Sequence, residues 1–325
     1  MIRPIGFALR TVCACVAIVT MSSVAFAQLG YGVNSSGQLF RFDINAPAPA
    51  PVTNIGAPLS FVPEGIDFRP GTSTLYAIDV GPNTTQLYTI DINTGLPTAV
   101  GAGFNSTGVD YNLTTSSNFG FDFNPKTLQG DGSMRIRLVN TSNQNLRLNS
   151  STGQIAGVDA ALHIGTNSPF VDAVAYINNK PEMAGTTTLF DMDTRNDALF
   201  IQNPPNNGDL TLVGNFGVTV DAVTRVHFDV YTDPADVDPT IAGDFGYAVL
   251  KRPDTPPAPG PTGSYLLYNV NLANGQITQG RLVGSATTPA NFDGGFSVLP
   301  IPEPGSAVLL VIGVVRLIAR RRRDW

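Results

Sequence analysis

Gly65-Ile66-Asp67-Phe68-Arg69-Pro70 returns as Gly120-Phe121-Asp122-Phe123-Asn124-Pro125, then more loosely as VDAVAYIN at 171–178, VHFDVYT at 226–232 and FDGGFSV at 292–298. The spacing is about 50 to 66 residues. Each copy leads into runs of the type Leu75-Tyr76-Ala77-Ile78 and Leu87-Tyr88-Thr89-Ile90, a turn such as Asn93-Thr94-Gly95, and a closing segment such as Thr98-Ala99-Val100-Gly101. Apolar residues alternate over these short runs, while 33 Gly and 25 Pro interrupt the chain before a helical period can build. A unit of this length holding four short strands reads as a propeller blade.

The ends of the array decide how it closes. The last copy, 292–298, supplies one strand, and the body opens with three others at 29–34, 38–44 and 52–56. Joining them completes a blade from both termini and removes the sheet edges that would invite aggregation. The expected fold is therefore all-β: a β-propeller of four-stranded blades, five in number, closed by pairing the C-terminal strand with the N-terminal strands. The blades are 292–298 with 29–57, then 65–104, 120–162, 171–217 and 224–286. The Pro-rich stretch 253–261 cannot serve as a central strand and is expected to be a surface loop. A pair of β-sandwiches would leave the split repeat unexplained.

Three further segments carry a resemblance: Arg135-Ile136-Arg137-Leu138-Val139, then Gln144-Asn145-Leu146-Arg147-Leu148-Asn149 with Thr152-Gly153, and Gln202-Asn203-Pro204-Pro205-Asn206-Asn207-Gly208. Together with the 120–125 motif they resemble a bacterial secreted family known as domain of unknown function 4394, over about residues 29–298. The resemblance implies fold and export; the family has no established activity to carry over.

Both termini read as sorting segments. Arg3 and Arg10 precede an apolar core at 11–24, and Ala25-Phe26-Ala27 places small residues where signal peptidase reads, so residues 1–27 are expected to leave after Ala27. The competing reading, an uncleaved membrane helix, is opposed by that core's length, short of the about 20 residues a span needs. At the other end Pro302-Glu303-Pro304, an apolar stretch at 305–319 and Arg320, Arg321, Arg322 and Arg323 resemble the PEP-CTERM sorting signal of Gram-negative bacteria, which an exosortase reads. Arg316 interrupts the apolar stretch near its basic end, where its side chain could snorkel. The basic cluster would stay cytoplasmic while the short stretch pauses in the inner membrane, giving transient anchoring and then cleavage near Pro304. A permanent single-pass anchor is the alternative. The expected layout is a signal peptide at 1–27, the propeller at 28–299 and the sorting segment at 300–325, with the product at the cell surface or outside.

Composition narrows the chemistry. Both cysteines, Cys13 and Cys15, lie in the signal segment, so the mature protein has no disulfide, thiolate metal site or cysteine nucleophile. Residues 28–304 carry 12 basic against 24 acidic residues, which disfavours nucleic acid as a partner. His163 and His227 stand far apart, no G-x-S-x-G elbow is present, and Glu64 and Glu182 are the glutamates that precede the sorting motif. The histidines read as locally bonded side chains.

Aspartates recur through the repeats: Asp43, Asp67, Asp79, Asp91, Asp122, Asp191 and Asp229. They read either as turn acceptors that fix each hairpin or as a ring of carboxylates for calcium or a sugar. Asp191 and Asp193, and separately Asp233, Asp236 and Asp238, are candidates for a weak calcium site, although Arg195 breaks the first as an EF-hand-like loop. Phe68, Tyr76, Tyr88, Phe121, Phe123, Tyr176 and Phe228 read as packing between blades, and Trp325 lies in the tail. The functional expectation is a non-enzymatic, exported surface or matrix propeller associated with extracellular polysaccharide or a surface partner. The alternative is a polysaccharide hydrolase or lyase that uses aspartates at the propeller axis.

Overall fold

The computed structural model describes residues 28–300 except 109, 127–128, 131, 181–186, 222–223, 235, 237, 239, 252–260, 262 and 279. The signal segment, the sorting segment and most of the Pro-rich stretch lie outside the described residues. Among those described there is no helix, and so none long and apolar enough to cross a membrane.

Twenty strands form five antiparallel four-stranded sheets. Blade I holds β1 (Leu29–Val33), β2 (Leu39–Asp43), β3 (Val52–Asn54) and, from the far end, β20 (Phe296–Val298). Blade II holds β4 (Gly65–Phe68), β5 (Leu75–Val80), β6 (Thr84–Ile90) and β7 (Pro97–Asn105). Blade III holds β8 (Phe119–Asn124), β9 (Arg135–Asn140), β10 (Asn145–Asn149) and β11 (Ile155–Val158). Blade IV holds β12 (Val171–Tyr176), β13 (Leu189–Asp193), β14 (Ala198–Gln202) and β15 (Leu210–Asn215). Blade V holds β16 (His227–Thr232), β17 (Asp244–Lys251), β18 (Tyr265–Val270) and β19 (Arg281–Leu282). The protein is a five-bladed propeller, as the repeat implies. Its closure is the pairing of Gly30 with Val298, Tyr31 with Ser297 and Gly32 with Phe296.

The core is divided among the blade interfaces. Tyr31, Val33 and Leu39 of blade I pack against Ile66, Phe68 and Leu75 of blade II. Tyr76, Ile78 and Leu87 of blade II meet Phe121, Phe123 and Ile136 of blade III. Val139 of blade III joins Val174, Tyr176 and Phe200 of blade IV, whose other face packs Phe190 and Leu199 against Phe228 and Val230. Phe40, Phe42 and Phe296 close the circuit against Tyr247 and Leu267 of blade V. Side chains that alternate along a strand thus serve two neighbours, which explains strands buried on both faces. The sequence-predicted aromatic packing holds at Phe68, edge-on to Tyr31 at 5.2 Å, and at Phe123, edge-on to Tyr76 at 4.9 Å. Tyr88 is instead half-buried and stacked on Phe61.

Hairpins between the third and fourth strands share one device. Asp91 accepts the N–H groups of Asn93 and Thr94, Asn149 those of Ser151 and Thr152, and Asn271 that of Ala273. Gly95, Gly153 and Gly275 then turn the chain through positive φ. Each turn seats a glycine of the preceding blade: a Cβ on Gly56 would lie 1.9 Å from the Thr94 carbonyl oxygen, on Gly101 2.0 Å from that of Thr152, and on Gly214 2.0 Å from that of Asn274.

Candidate functional site

The innermost strands β20, β4, β8, β12 and β16 surround the axis, and each has an inner edge with no further strand to pair. Buried N–H groups there need acceptors. The preceding blade supplies them. Asp67 Oδ2 accepts from Phe123 N at 2.7 Å, Asp122 Oδ2 from Tyr176 N at 2.8 Å, Asp229 Oδ2 from Val298 N at 2.6 Å, and Ser297 Oγ from Phe68 N at 3.3 Å. By this register the corresponding residue of blade IV is Ala175, and Val230 N turns instead to Asp229 Oδ1. Asp172 is not on the axis; Thr194 Oγ1 donates to it at 2.6 Å.

Asp67, Asp122 and Asp229 are buried, with one carboxylate oxygen from each lying within 4.8 Å of the others. Burial, with mutual repulsion added for the first two, raises Asp67 and Asp122 well above the carboxylate range, and burial raises Asp229 to about 6. Ser297 Oγ sits 3.1 Å from Asp67 Oδ1 and 2.7 Å from Asp229 Oδ2. A hydroxyl has one hydrogen, so Ser297 donates chiefly at the shorter contact, to Asp229. The three carboxyls thus form a buried, mutually repelling cluster whose N–H bonds tie blade to blade.

Among the described residues this cluster is the group with metal-ligand spacing. Calcium takes six to eight oxygens. Here the oxygens already serve N–H and O–H groups, and the cavity beside them, lined by Ile66, Phe121, Val174 and His227, measures about 10 Å³. His227 is neutral, because burial and then the charge of Arg225 lower its pKa to about 3. His163 lies in the loop before blade IV, 3.3 Å from Asp209.

The seven recurring aspartates divide by place. Asp43 and Asp91 accept turn N–H groups, Asp67, Asp122 and Asp229 converge on the axis, and Asp79 and Asp191 lie in the second strands β5 and β13. Asp191 is fully buried, whereas Asp193 accepts from Arg195 N, Asn196 N, Asn196 Nδ2 and Phe170 N. In the other candidate loop Asp236 accepts from Asp238 N and Asp238 from Thr240 N. The cation there is Lys180, whose ammonium donates to the carbonyls of Asp233 (3.1 Å), Pro234 (3.2 Å) and Asp236. Ala25, Ala27, Pro302, Glu303, Pro304 and Arg320 to Arg323 lie outside the described residues.

A second site lies at the boundary of blades III and IV. Strand register sets Arg147 directly opposite Arg137. Like charges so placed repel. Asp159, in the segment after β11, answers both: Arg137 Nη1 donates to its Oδ2 at 2.7 Å, and Arg147 donates through Nε and Nη2 at 2.8 Å each. Arg137 is buried, with its remaining bonds going to Tyr176 Oη, Asn145 Oδ1 and Asn206 Oδ1. Above this base a cavity of about 240 Å³ is lined by Lys126, Arg135, Arg137, Arg147, Pro205 and Asn206 among others. Four of the body's twelve basic residues line one pocket of an acidic protein.

In the sequence Arg135, Arg137, Arg147, Pro205 and Asn206 stand out only as part of the family resemblance, and Lys126 and Asp159 not at all. The available signal is that Arg137 and Arg147 stand equally far from the turn at 140–144, so a hairpin must oppose them. Asp159 and Asn206 reach the site through tertiary structure.

The model of a family described as a domain of unknown function (DUF4394) matches residues 38–291. No curated protein matches the chain. Solved structures with a similar fold include a nidogen/laminin complex, 10% identical over 84% of this chain and 98% of that one, TM-score 0.44. A putative exo-beta-1,3-galactanase from Bifidobacterium bifidum is 10% identical over 69% of this chain and 72% of its own, TM-score 0.42. Kuenenia stuttgartiensis hydrazine synthase is 12% identical over 70% of this chain, TM-score 0.36, and the chain spans about half (51%) of that structure. Likenesses this distant carry no functional argument.

Proposed function

The chain belongs to the DUF4394 family of domains of unknown function, and from that premise we propose that it is an exported, non-enzymatic propeller of the cell surface or extracellular matrix, a binding component associated with exopolysaccharide. Signal peptidase and an exosortase are its processing enzymes, the inner membrane holds it in transit, and the reading requires no cofactor. The observation that carries the non-enzymatic reading is the state of the axis. Its carboxylates are buried and occupied in holding blades together through backbone N–H groups. A hydrolase or lyase that used the axial aspartates would need those carboxylates to reach its substrate.

Two measurements test this. Mass spectrometry of the exported form is expected to show Gln28 at the start and an end near residue 304; a full-length envelope product would refute the processing. Incubation with purified exopolysaccharide is expected to give saturable binding and no new reducing ends or unsaturated products. Turnover that disappears in Asp122→Asn would establish the enzymatic alternative.

A further inference from the structure

We propose that the pocket between blades III and IV binds the carboxylate of an acidic sugar residue, so that the polymer partner is a uronate-bearing polysaccharide; this rests on the polymer-binding reading above.

Charge points there first. A body with twice as many acidic as basic residues repels a polyanion, so binding needs a local inversion of sign. Lys126, Arg135, Arg137 and Arg147 supply one, and Asp159 behind them is shared between two arginines. The site is also built. Arg137 is 1% exposed and fixed by Tyr176, Asn145, Asp159 and Asn206, which reach it from four separate stretches of chain. Opposed arginines on neighbouring strands cost stability and are unnecessary for a hairpin, yet the fold spends a buried carboxylate to keep them.

Shape selects the ligand class. Arg147 holds Asp159 through Nε and Nη2, so Nη1 takes no part in that pair, and its side chain is 33% exposed. A planar fork suits a carboxylate. A cavity of about 240 Å³ is on the scale of one sugar ring, with Pro205 as an apolar wall and the Asn124 and Asn206 amides beside it for hydroxyls. The segments 135–139, 144–149 and 202–208 meet at this pocket.

Calorimetry of the exported protein with oligogalacturonate, dextran and inorganic phosphate tests the proposal. Oligogalacturonate is expected to bind and to weaken with salt. Arg147→Gln should lower its affinity about tenfold and Lys126→Gln about threefold, neither changing the products formed, which are none. Lys126 is exposed, so its variant keeps the test decisive should Arg147→Gln loosen blade III. Absent oligogalacturonate binding, binding indifferent to both substitutions, or phosphate binding as tightly as oligogalacturonate would each overturn the assignment. If dextran binds and neither substitution matters, the pocket assignment falls while polymer binding stands; cleavage of oligogalacturonate would sink the non-enzymatic reading itself.

Discussion

At the scale of single residues the axial carboxyls make stability depend on pH with an uncommon sign. A carboxyl raised on folding binds more protons in the folded than in the unfolded state, so its contribution is full below about pH 4 and is lost as pH rises through the folded pKa. Asp229 at about 6, Asp244 at about 6 and Glu64 at about 7, each raised chiefly by burial, place that loss between about pH 5 and 8; Asp67 and Asp122 extend it. Glu64 is raised even though Arg225 donates to it at 2.6 Å, because desolvation outweighs the pair. Asp91, Asp238 and Asp293 are lowered and act in the opposite sense at lower pH. His227, lowered by burial to about 3, acts in the opposite sense up to about pH 6.5 but is outnumbered by the raised carboxyls, so the melting temperature should fall from pH 5 to pH 8. Asp122→Asn keeps an acceptor for Tyr176 N and should flatten the fall; a melting temperature that climbs across this range would refute the account. Calcium at millimolar concentration should leave the melting temperature within about a degree, because Asp191 is fully buried, Asp193 and Asp238 accept N–H groups within their turns, and the Lys180 ammonium already sits among the carbonyls of Asp233, Pro234 and Asp236.

Between elements, close approach of one blade to the next turn decides stability. Gly214 has an ordinary φ, so its role is space for the Asn274 carbonyl rather than backbone freedom. Gly214→Ala should cost about 1–3 kcal/mol by forcing blades IV and V apart, read as a lower urea midpoint with an unchanged slope. The same close approach recurs at Gly101 in β7 and at Gly56 just after β3, where a positive φ adds a second reason for glycine.

Across the whole molecule the ring is closed in several places. β20 pairs with β1, Gln28 Nε2 donates to the Leu299 carbonyl, and Arg225 of blade V donates to the Pro63 carbonyl, the Glu64 carboxylate and the Asp293 carbonyl. A chain ending at Asn291 loses β20 and leaves the edge of β1 bare. It should elute as oligomers or aggregate, whereas Arg225→Ala should remain monomeric with a lower melting temperature. A soluble, cooperative monomer from the shortened chain would show that closure is dispensable.

The sequence by itself determined the blade count, the split blade and the role of its period-two aromatics, because alternation and a fixed repeat are local properties that any strand order must respect. Tertiary structure decided the rest. Asp67, Asp122 and Asp229 look like Asp43 and Asp91 in the repeat, yet the first three serve a neighbouring blade and the last two their own turns. Strand edges, not residue type, set that difference. Arg137, Asp159 and Asn206 are far apart along the chain, and only the packing of blade III against blade IV turns them into a charged pocket. A side chain's partners across an interface depend on which blades become neighbours and in what register, and no local pattern carries that information.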